Sequence, residues 1–313
     1  MSILARLLAV ALLCLNAEAA LAQAPAAPAA SDPIVRPEGL RQVAAHSWVI
    51  PDNNVSAVAN IGIIVGAKAA LVVDTGMGPR NGAIVLEQAQ KLAAGNPLYL
   101  VTTHVHPEHD LGAQAFPASA KLIRAQNQVR DIAETGMTVA DIFRARGPIN
   151  GELLKDARFR PADVTFDENY NLDLGGVTAR IYAMGLNHTL GDTIVMVEQD
   201  GVLFSGDLAM TAAPSVNAKA SVAGWRATLD KIAALRARIV VPSHGPIGGG
   251  ELVEGYRTYF ADLQTRAAAL RKAGRTEDQA VAELSTAMSS RFPGAPGRIG
   301  PAVRLAYREA ASQ

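Results

Sequence analysis

The chain has 313 residues, with 29 Lys and Arg against 29 Asp and Glu, six His and one Cys. Zero net charge excludes a protein that lives on phosphate contacts, because nucleic-acid binders need a positive footprint. One cysteine excludes an internal disulfide, a Cys-rich zinc site and an iron–sulfur cluster, and an apolar fraction of 49% excludes wholesale disorder.

Residues 1–22 read as a secretory signal peptide: a basic start ending at Arg6, an apolar run from Leu7 to Leu15, then small residues leading to the A-x-A signature Ala20-Leu21-Ala22. The run is far short of the ~20 apolar residues of a membrane span, and Leu13 is bulkier than the small residue that precedes a lipid-modified cysteine. Cleavage after Ala22 removes Cys14 and takes Arg6 and Glu18 together, so the mature chain is thiol-free and still neutral. The expected location is the periplasm or the medium, with no stable membrane insertion after cleavage. Residues 23–39, Ala/Pro-rich from Gln23 to Pro33, are expected to be a flexible linker.

From Ser56 to Val73 two strand-like runs, VANIGIIV and AALVVD, flank the turn Gly66-Ala67-Lys68. Pro79 opens a helix carrying Val85, Ala89 and Leu92 on one face, and Gly95 closes it. LYLVTT (98–103) is a short β-rich run that ends in a histidine cluster, and residues 125–160 look helical with a break near Gly147-Pro148. Strand-like runs follow at Val164 to Phe166, Val177 to Met184, Thr193 to Glu198 and VLFSGDL (202–208). Trp225, Leu229 and Ile232 share a helix face, and RIVVPSHG (238–245) is again a strand running into a histidine. Residues 251–313 are mainly helical: Leu252, Tyr256, Tyr259, Leu263, Ala267 and Leu270 form an apolar stripe, and Thr276-x-x-Gln279 is a capping box. Strands alternating with helices, plus antiparallel hairpins, point to an α/β sandwich of sheets covered by helices.

The polar clusters fall just after strands. Asp74 follows LVV; His104, His106, Glu108, His109 and Asp110 follow LYLVTT; Asp207 follows LFSG; His244 follows VVPS; and His188 sits in the turn GLNHTLGD. Strand ends on one edge of a sheet converge, so these residues can meet at one rim. Side chains at i and i+2 of an extended segment point the same way, so His104 and His106 can face one cation. Imidazoles and carboxylates without thiolate suit Zn²⁺, Fe or Mn. A lone histidine is more often an ordinary hydrogen-bonded residue, but three in six positions at a strand exit are not that pattern. Asp110 reads as a surface residue or a fallback ligand, Phe143 and Trp225 as residues for the mouth or, for Trp225, the core. Loops 52–58 and 125–160 and the C-terminal helices are expected to shape the pocket.

The set THVHPEH (103–109), GLNHTLGD (185–192), FSGD (204–207) and PSHG (242–245), preceded by VVDTG (72–76), resembles the metallo-β-lactamase superfamily over about residues 40–250. The resemblance implies an αββα four-layer sandwich with metal at one edge, extended by a helical C-terminal segment, 251–313, packed on the domain. It implies that His104, His106 and His188 hold a first metal, that His109, His244 and Glu108 hold a second, and that Asp207 bridges the two as in the glyoxalase-II-like branch. Asp74 would support the ligands from behind through hydrogen bonds. The family pattern H-x-H-x-D-H has Glu108 in place of its aspartate, and a side chain one methylene longer is expected to overshoot or to weaken the second site.

The implied activity is a zinc-dependent hydrolase, holding one or two Zn²⁺ ions with iron as an alternative, in which metal-bound hydroxide attacks a small ester, thioester, lactone or β-lactam. Glu108 and Asp207 are its expected catalytic carboxylates. Other superfamily readings are a mononuclear iron, persulfide-dioxygenase-like enzyme and an exported metal-binding accessory protein without turnover. The expected partner is a small-molecule substrate, not nucleic acid.

Overall fold

The apolar runs become two β-sheets in the computed structural model, which describes residues 32–292 and 296–311. The signal peptide, Cys14 and the start of the expected linker lie outside the described residues. The first sheet has the order β1 (Arg41–Gln42), β2 (Ser47–Ile50), β3 (Ile61–Val65), β4 (Ala70–Val73), β5 (Leu98–Val101), β6 (Lys121–Ala125), β7 (Val164–Phe166). The second holds β8 (Asn169–Asp173), β9 (Thr178–Gly185), β10 (Asp192–Val197), β11 (Val202–Gly206) and β12 (Ile239–Pro242), in sequence order from one edge to the other. Pairing is parallel from β4 through β7 and between β11 and β12, and antiparallel elsewhere. The helices are α1 (Gly78–Ala93), α2 (Pro107–Asp110), α3 (Gln126–Asp131), α4 (Met137–Arg144), α5 (Pro148–Leu153), α6 (Val222–Ala234), α7 (Glu251–Lys272), α8 (Glu277–Ala287) and α9 (Pro296–Glu309).

Period-two alternation explains the layers. In β4, Leu71 and Val73 face the second sheet and meet Val195, Val202 and Phe204 there, while Ala70 and Val72 face outward onto Val85 and Ala89 of α1. Both faces are covered, so β4 needs no polar side chain, as expected of a strand buried on both sides. On the far face of the second sheet Ile194, Met196, Leu203 and Val240 pack against Trp225, Leu229 and Ile232 of α6 and Tyr256, Tyr259, Phe260 and Leu263 of α7. The result is helix, sheet, sheet, helix: the αββα sandwich. Ile299, Ala302, Val303 and Ala306 of α9 complete the same outer cluster with α7 and with Ala280 and Leu284 of α8, so these three helices are packed on the second sheet. Both halves of the capping box at Thr276 form.

Three differences from the sequence reading have physical causes. β6 is a strand that includes a buried charge, Arg124, which interrupts its apolar signal. β8 is an edge strand, polar on its exposed face, and its composition, Asn-Tyr-Asn-Leu-Asp, hides it. The expected linker does not extend to residue 39. Val35 is buried, its N–H donates to Asn81 Oδ1 (2.8 Å), and Asn81 Nδ2 donates to the carbonyl of Pro33 (2.9 Å), so this segment is bound to α1. No helix among the described residues is long and apolar enough to cross a membrane.

Candidate metal centre

The five motif histidines, Glu108 and Asp207 meet at one edge of the sandwich, carried by the segments after β5, β9, β11 and β12. They form two groups of converging donors: His104, His106, His188 and Asp207 in one, Glu108, His109 and His244 in the other.

Each group is aimed from behind. Asp74, at the end of β4, has φ +65, a left-handed backbone that costs a non-glycine residue about 1 kcal/mol. That conformation lets one carboxylate accept from Thr103 N–H (2.7 Å), Thr103 Oγ1 (3.0 Å) and His109 Nδ1 (2.8 Å). The Thr103 hydroxyl, committed as a donor to Asp74, accepts from His104 Nδ1 at 3.0 Å. His188 Nδ1 donates to the carbonyl of Ser215 (2.6 Å) and His244 Nδ1 to that of Val58 (2.9 Å), since carbonyls only accept. These bonds engage Nδ1 of His104, His109, His188 and His244, so Nε2 is the atom each ring turns toward the centre. His106 presents Nδ1 instead, 3.1 Å from His104 Nε2 and 3.2 Å from His188 Nε2.

The donor set fits cations. Three ring nitrogens crowd together with at most one proton to share among them, while ligands of a tetrahedral zinc, each ~2.1 Å from the metal, lie ~3.4 Å apart. Asp207 Oδ2 is 3.2 Å from His188 Nε2, and Oδ1 is 3.9 Å from both His109 Nε2 and His244 Nε2. One carboxylate thus turns an oxygen to each group. Glu108 Oε1 is 3.9 Å from the same two nitrogens, so the longer side chain stays within the second group rather than overshooting it. Glu108 Oε2, His109 Nε2 and Asp207 Oδ1 are buried with no hydrogen-bond partner among the described residues, which would be costly unless a cation satisfies them.

Electrostatics agree. Burial, then the neighbouring histidines, hold the His104 and His106 pKa values well below the usual imidazole range, so both rings stay neutral. Burial also pushes Asp207 upward, but His188, His244, His109 and His106 outweigh it and keep the carboxyl well below the carboxylate range. His109 is opposed by burial yet raised to about 9 by Asp74, Glu108 and Asp207, an excess of negative charge that a dication at Nε2 would neutralise.

Several supporting residues lie beyond the sequence reading. Asp192 closes the GLNHTLGD turn by accepting from the N–H of His188 (2.8 Å) and from the Thr189 hydroxyl (2.6 Å). Burial pushes its carboxyl up to about 6 against these bonds. Asp110 is not on the surface: it is fully buried and paired through both oxygens with Arg124, itself 1% exposed, and Thr102 Oγ1 donates to it at 2.8 Å. Gly112 lies so close to the strand end that a Cβ there would sit 2.0 Å from the carbonyl oxygen of Thr75, so only glycine lets the α2 segment dock beside Asp74. Trp225 is core, its indole N–H donating to Leu208 O (3.3 Å). Phe143 is buried with its ring 5.6 Å from that of His106.

The centre opens on a cleft of about 320 Å³ lined by Glu108 and His244, by Asp52, Val55 and Ala57 of the expected 52–58 loop, and by Arg146 and Arg298. It is smaller than a groove of about 590 Å³ between the end of α1 and Pro117, which has no titratable side chain in its lining and lies away from the histidines.

The family profile described as "Metallo-beta-lactamase superfamily" matches residues 57–244, more than half of the chain. The chain belongs to the metallo-beta-lactamase superfamily. It is 31% identical over 109 residues to a metallo-beta-lactamase type 2 of Bacteroides fragilis, covering 33% of this chain and 43% of that protein. It is 26% identical over 229 residues to a linear primary-alkylsulfatase of Pseudomonas sp. (61% and 42% covered), and 28% over 162 residues to the human acyl-coenzyme A thioesterase MBLAC2 (48% and 58%). The chain thus spans about half the length of the curated relatives it matches. Two solved structures share the fold: a stereoselective inverting sec-alkylsulfatase from Pseudomonas sp. (TM-score 0.66, 18% identity, 87% of this chain and 50% of that one), and a metallo-beta-lactamase from Pontibacter korlensis (0.57, 20%, 71% and 98%). The names of these relatives describe a β-lactamase, alkylsulfatases and an acyl-coenzyme A thioesterase.

Replacing Asp74 by Asn tests how the ligands are aimed. Asn tolerates the left-handed backbone but cannot accept from both Thr103 and His109 as a carboxylate does. Metal affinity is expected to fall about 10–100-fold, read by competition with a chelator, with little change in far-UV circular dichroism.

Proposed function

We propose that this chain is a zinc-dependent hydrolase of a small ester, thioester, lactone or β-lactam. The observation that carries the reading is the pair of donor groups joined by Asp207 and opening on a cleft. His104, His106, His188 and one oxygen of Asp207 would hold one ion; Glu108, His109, His244 and the other oxygen would hold a second. When bound, zinc supplies an acidified water as nucleophile and a Lewis acid for the electrophile. The protein's own part is placement. Hydrogen bonds at Nδ1 keep four imidazoles from turning, so the centre needs no rearrangement as substrate arrives. Glu108 and His244 form the wall that substrate meets first. Asp207, turning one oxygen to each group, would fix where the nucleophile stands, and Glu108 Oε2, without a partner among the described residues, is the acceptor available to orient it, take its proton and return it to the leaving group.

The relatives' names cover a β-lactamase, an alkylsulfatase and an acyl-CoA thioesterase, which supports hydrolysis as the class. The same proposal puts the reaction in the periplasm or the medium, on the strength of residues 1–22 alone. The test is metal identity and stoichiometry measured beside a hydrolysis panel, with and without chelator. Chelation is expected to abolish turnover and zinc to restore it. Glu108→Asp is expected to change second-metal occupancy or rate; if neither moves, Glu108 has no place in the centre. Iron with oxygen consumption would replace this reading with the persulfide-dioxygenase-like one, and bound metal without any turnover would leave a metal-binding accessory protein.

A further inference from the structure

The cleft beside Glu108 and His244 holds two guanidinium groups from segments far apart in sequence: Arg146, just after α4, and Arg298, in the first turn of α9. Neighbouring arginines on the same elements are neutralised. Arg144 pairs with Asp141, Arg304 with Glu277 (2.9 Å) and Arg308 with Glu277 (2.8 Å). Neither Arg146 nor Arg298 has an acidic partner among the described residues, although both are exposed at the cleft. The two acids of the same lining are already engaged. Asp52 accepts from the N–H groups of Asn54 (3.1 Å) and Gly245 (2.7 Å), and Glu108 faces His109 and His244.

Arg298 is placed at some expense, and Arg146 is held in position by its neighbour. Arg298 stands in the first turn of a 14-residue helix whose first turn has no acid, where the helix dipole disfavours a cation. Arg146 is held over the Phe143 ring, 3.4 Å from its centroid, and that ring lies against His106. The stacking fixes the guanidinium near the first donor group and leaves its N–H fork to reach outward.

We propose that the cleft binds an anionic group (a carboxylate, sulfate or phosphate) of the substrate, held by Arg146 and Arg298 beside the bond to be cut. The place of the anion beside the bond to be cut rests on the hydrolase reading; the binding of the anion does not. Each guanidinium donates charge-assisted hydrogen bonds to the group, and the fork geometry favours a planar or tetrahedral oxyanion over a neutral ester. The substrates favoured are then acidic small molecules, with the charge directing which end faces Glu108 and Asp207.

The experiment uses the zinc-loaded full chain at low ionic strength, where exposed charges are not screened. Succinate, methyl sulfate and methyl phosphate are titrated calorimetrically, which also separates the three anion chemistries. At least one is expected to bind, about tenfold more weakly in Arg146→Ala and in Arg298→Ala, with no binding detected in the double variant and part of the affinity kept in the Lys variants. Absence of binding by all three overturns the proposal, and so does affinity unchanged in the double variant, which would mean that the anion sits on zinc alone. In parallel, kcat/KM for mono(4-nitrophenyl) succinate is divided by that for 4-nitrophenyl acetate. The ratio is expected to exceed one and to fall about tenfold with each arginine lost; a ratio that does not respond overturns the catalytic half. If neither these esters nor any member of the hydrolysis panel turns over while the calorimetric pattern holds, the hydrolase reading fails and the anion site stands.

Discussion

Asp207→Asn is expected to lower kcat/KM by about 10³-fold or more and to reduce the metal content of both donor groups, while the far-UV spectrum stays that of the folded chain. The reason is geometric. Each carboxylate oxygen faces a different group, Oδ2 toward His188 and Oδ1 toward His109 and His244, so one substitution reaches both. An amide keeps the shape but turns one of its two positions into a donor, which repels a cation. Loss of any one histidine, by contrast, strips a ligand from a single group. Among the described residues Asp207 makes no hydrogen bond that ties β11 to the rest of the sheet, so the fold does not depend on it. Metal analysis and a substrate from the hydrolysis panel, read on the same preparation, check the expectation. Metal content equal to that of the unaltered protein would show that Asp207 does not join the two groups.

Arg124→Met is expected to destabilise the chain by about 3–5 kcal/mol, because it leaves Asp110 charged, fully buried and without its counter-ion. Arg124 also donates to Thr102 Oγ1 (3.1 Å) and to the carbonyl of Arg160 (3.1 Å), and Gln128 Nε2 donates to the same Thr102 oxygen (2.8 Å), so the pair is the centre of a buried polar network. The network ties the end of α2 to β6 and α3. Since α2 also carries Glu108 and His109, the variant is expected to lose metal affinity together with stability. Urea unfolding of the metal-free chain measures the first, and chelator competition the second. The double variant Asp110→Leu, Arg124→Met removes both charges and should recover most of the stability. A single-variant loss below about 1 kcal/mol would mean that water reaches the pair.

Most of the αββα architecture is legible in the chain because it depends on local patterns. Runs such as ALVV and IGIIV are apolar on both faces and announce strands buried on both sides, and the Trp225, Leu229, Ile232 stripe announces a helix facing them. What stayed hidden was β6, with Arg124 inside it, and β8, a polar edge. Both are stabilised by neighbours rather than by their own composition. The donor set is legible for a related reason. His104, His106, Glu108 and His109 are close in sequence at a strand exit, so their chemistry is local.

The sequence alone determined which residue types would reach the rim: five of the six histidines and the carboxylates at strand ends, in a mature chain expected to have no thiol. It could not determine how they divide, because that depends on distances across β5, β9, β11 and β12. Only the tertiary structure split the donors into two groups with Asp207 between them, kept Glu108 beside His109 and His244, moved Asp110 from the surface into an ion pair with Arg124, and brought Arg146 and Arg298 to one cleft. Residue type sets what an atom can donate, accept or ligate. Its partner is decided by long-range packing, which no short window of sequence contains.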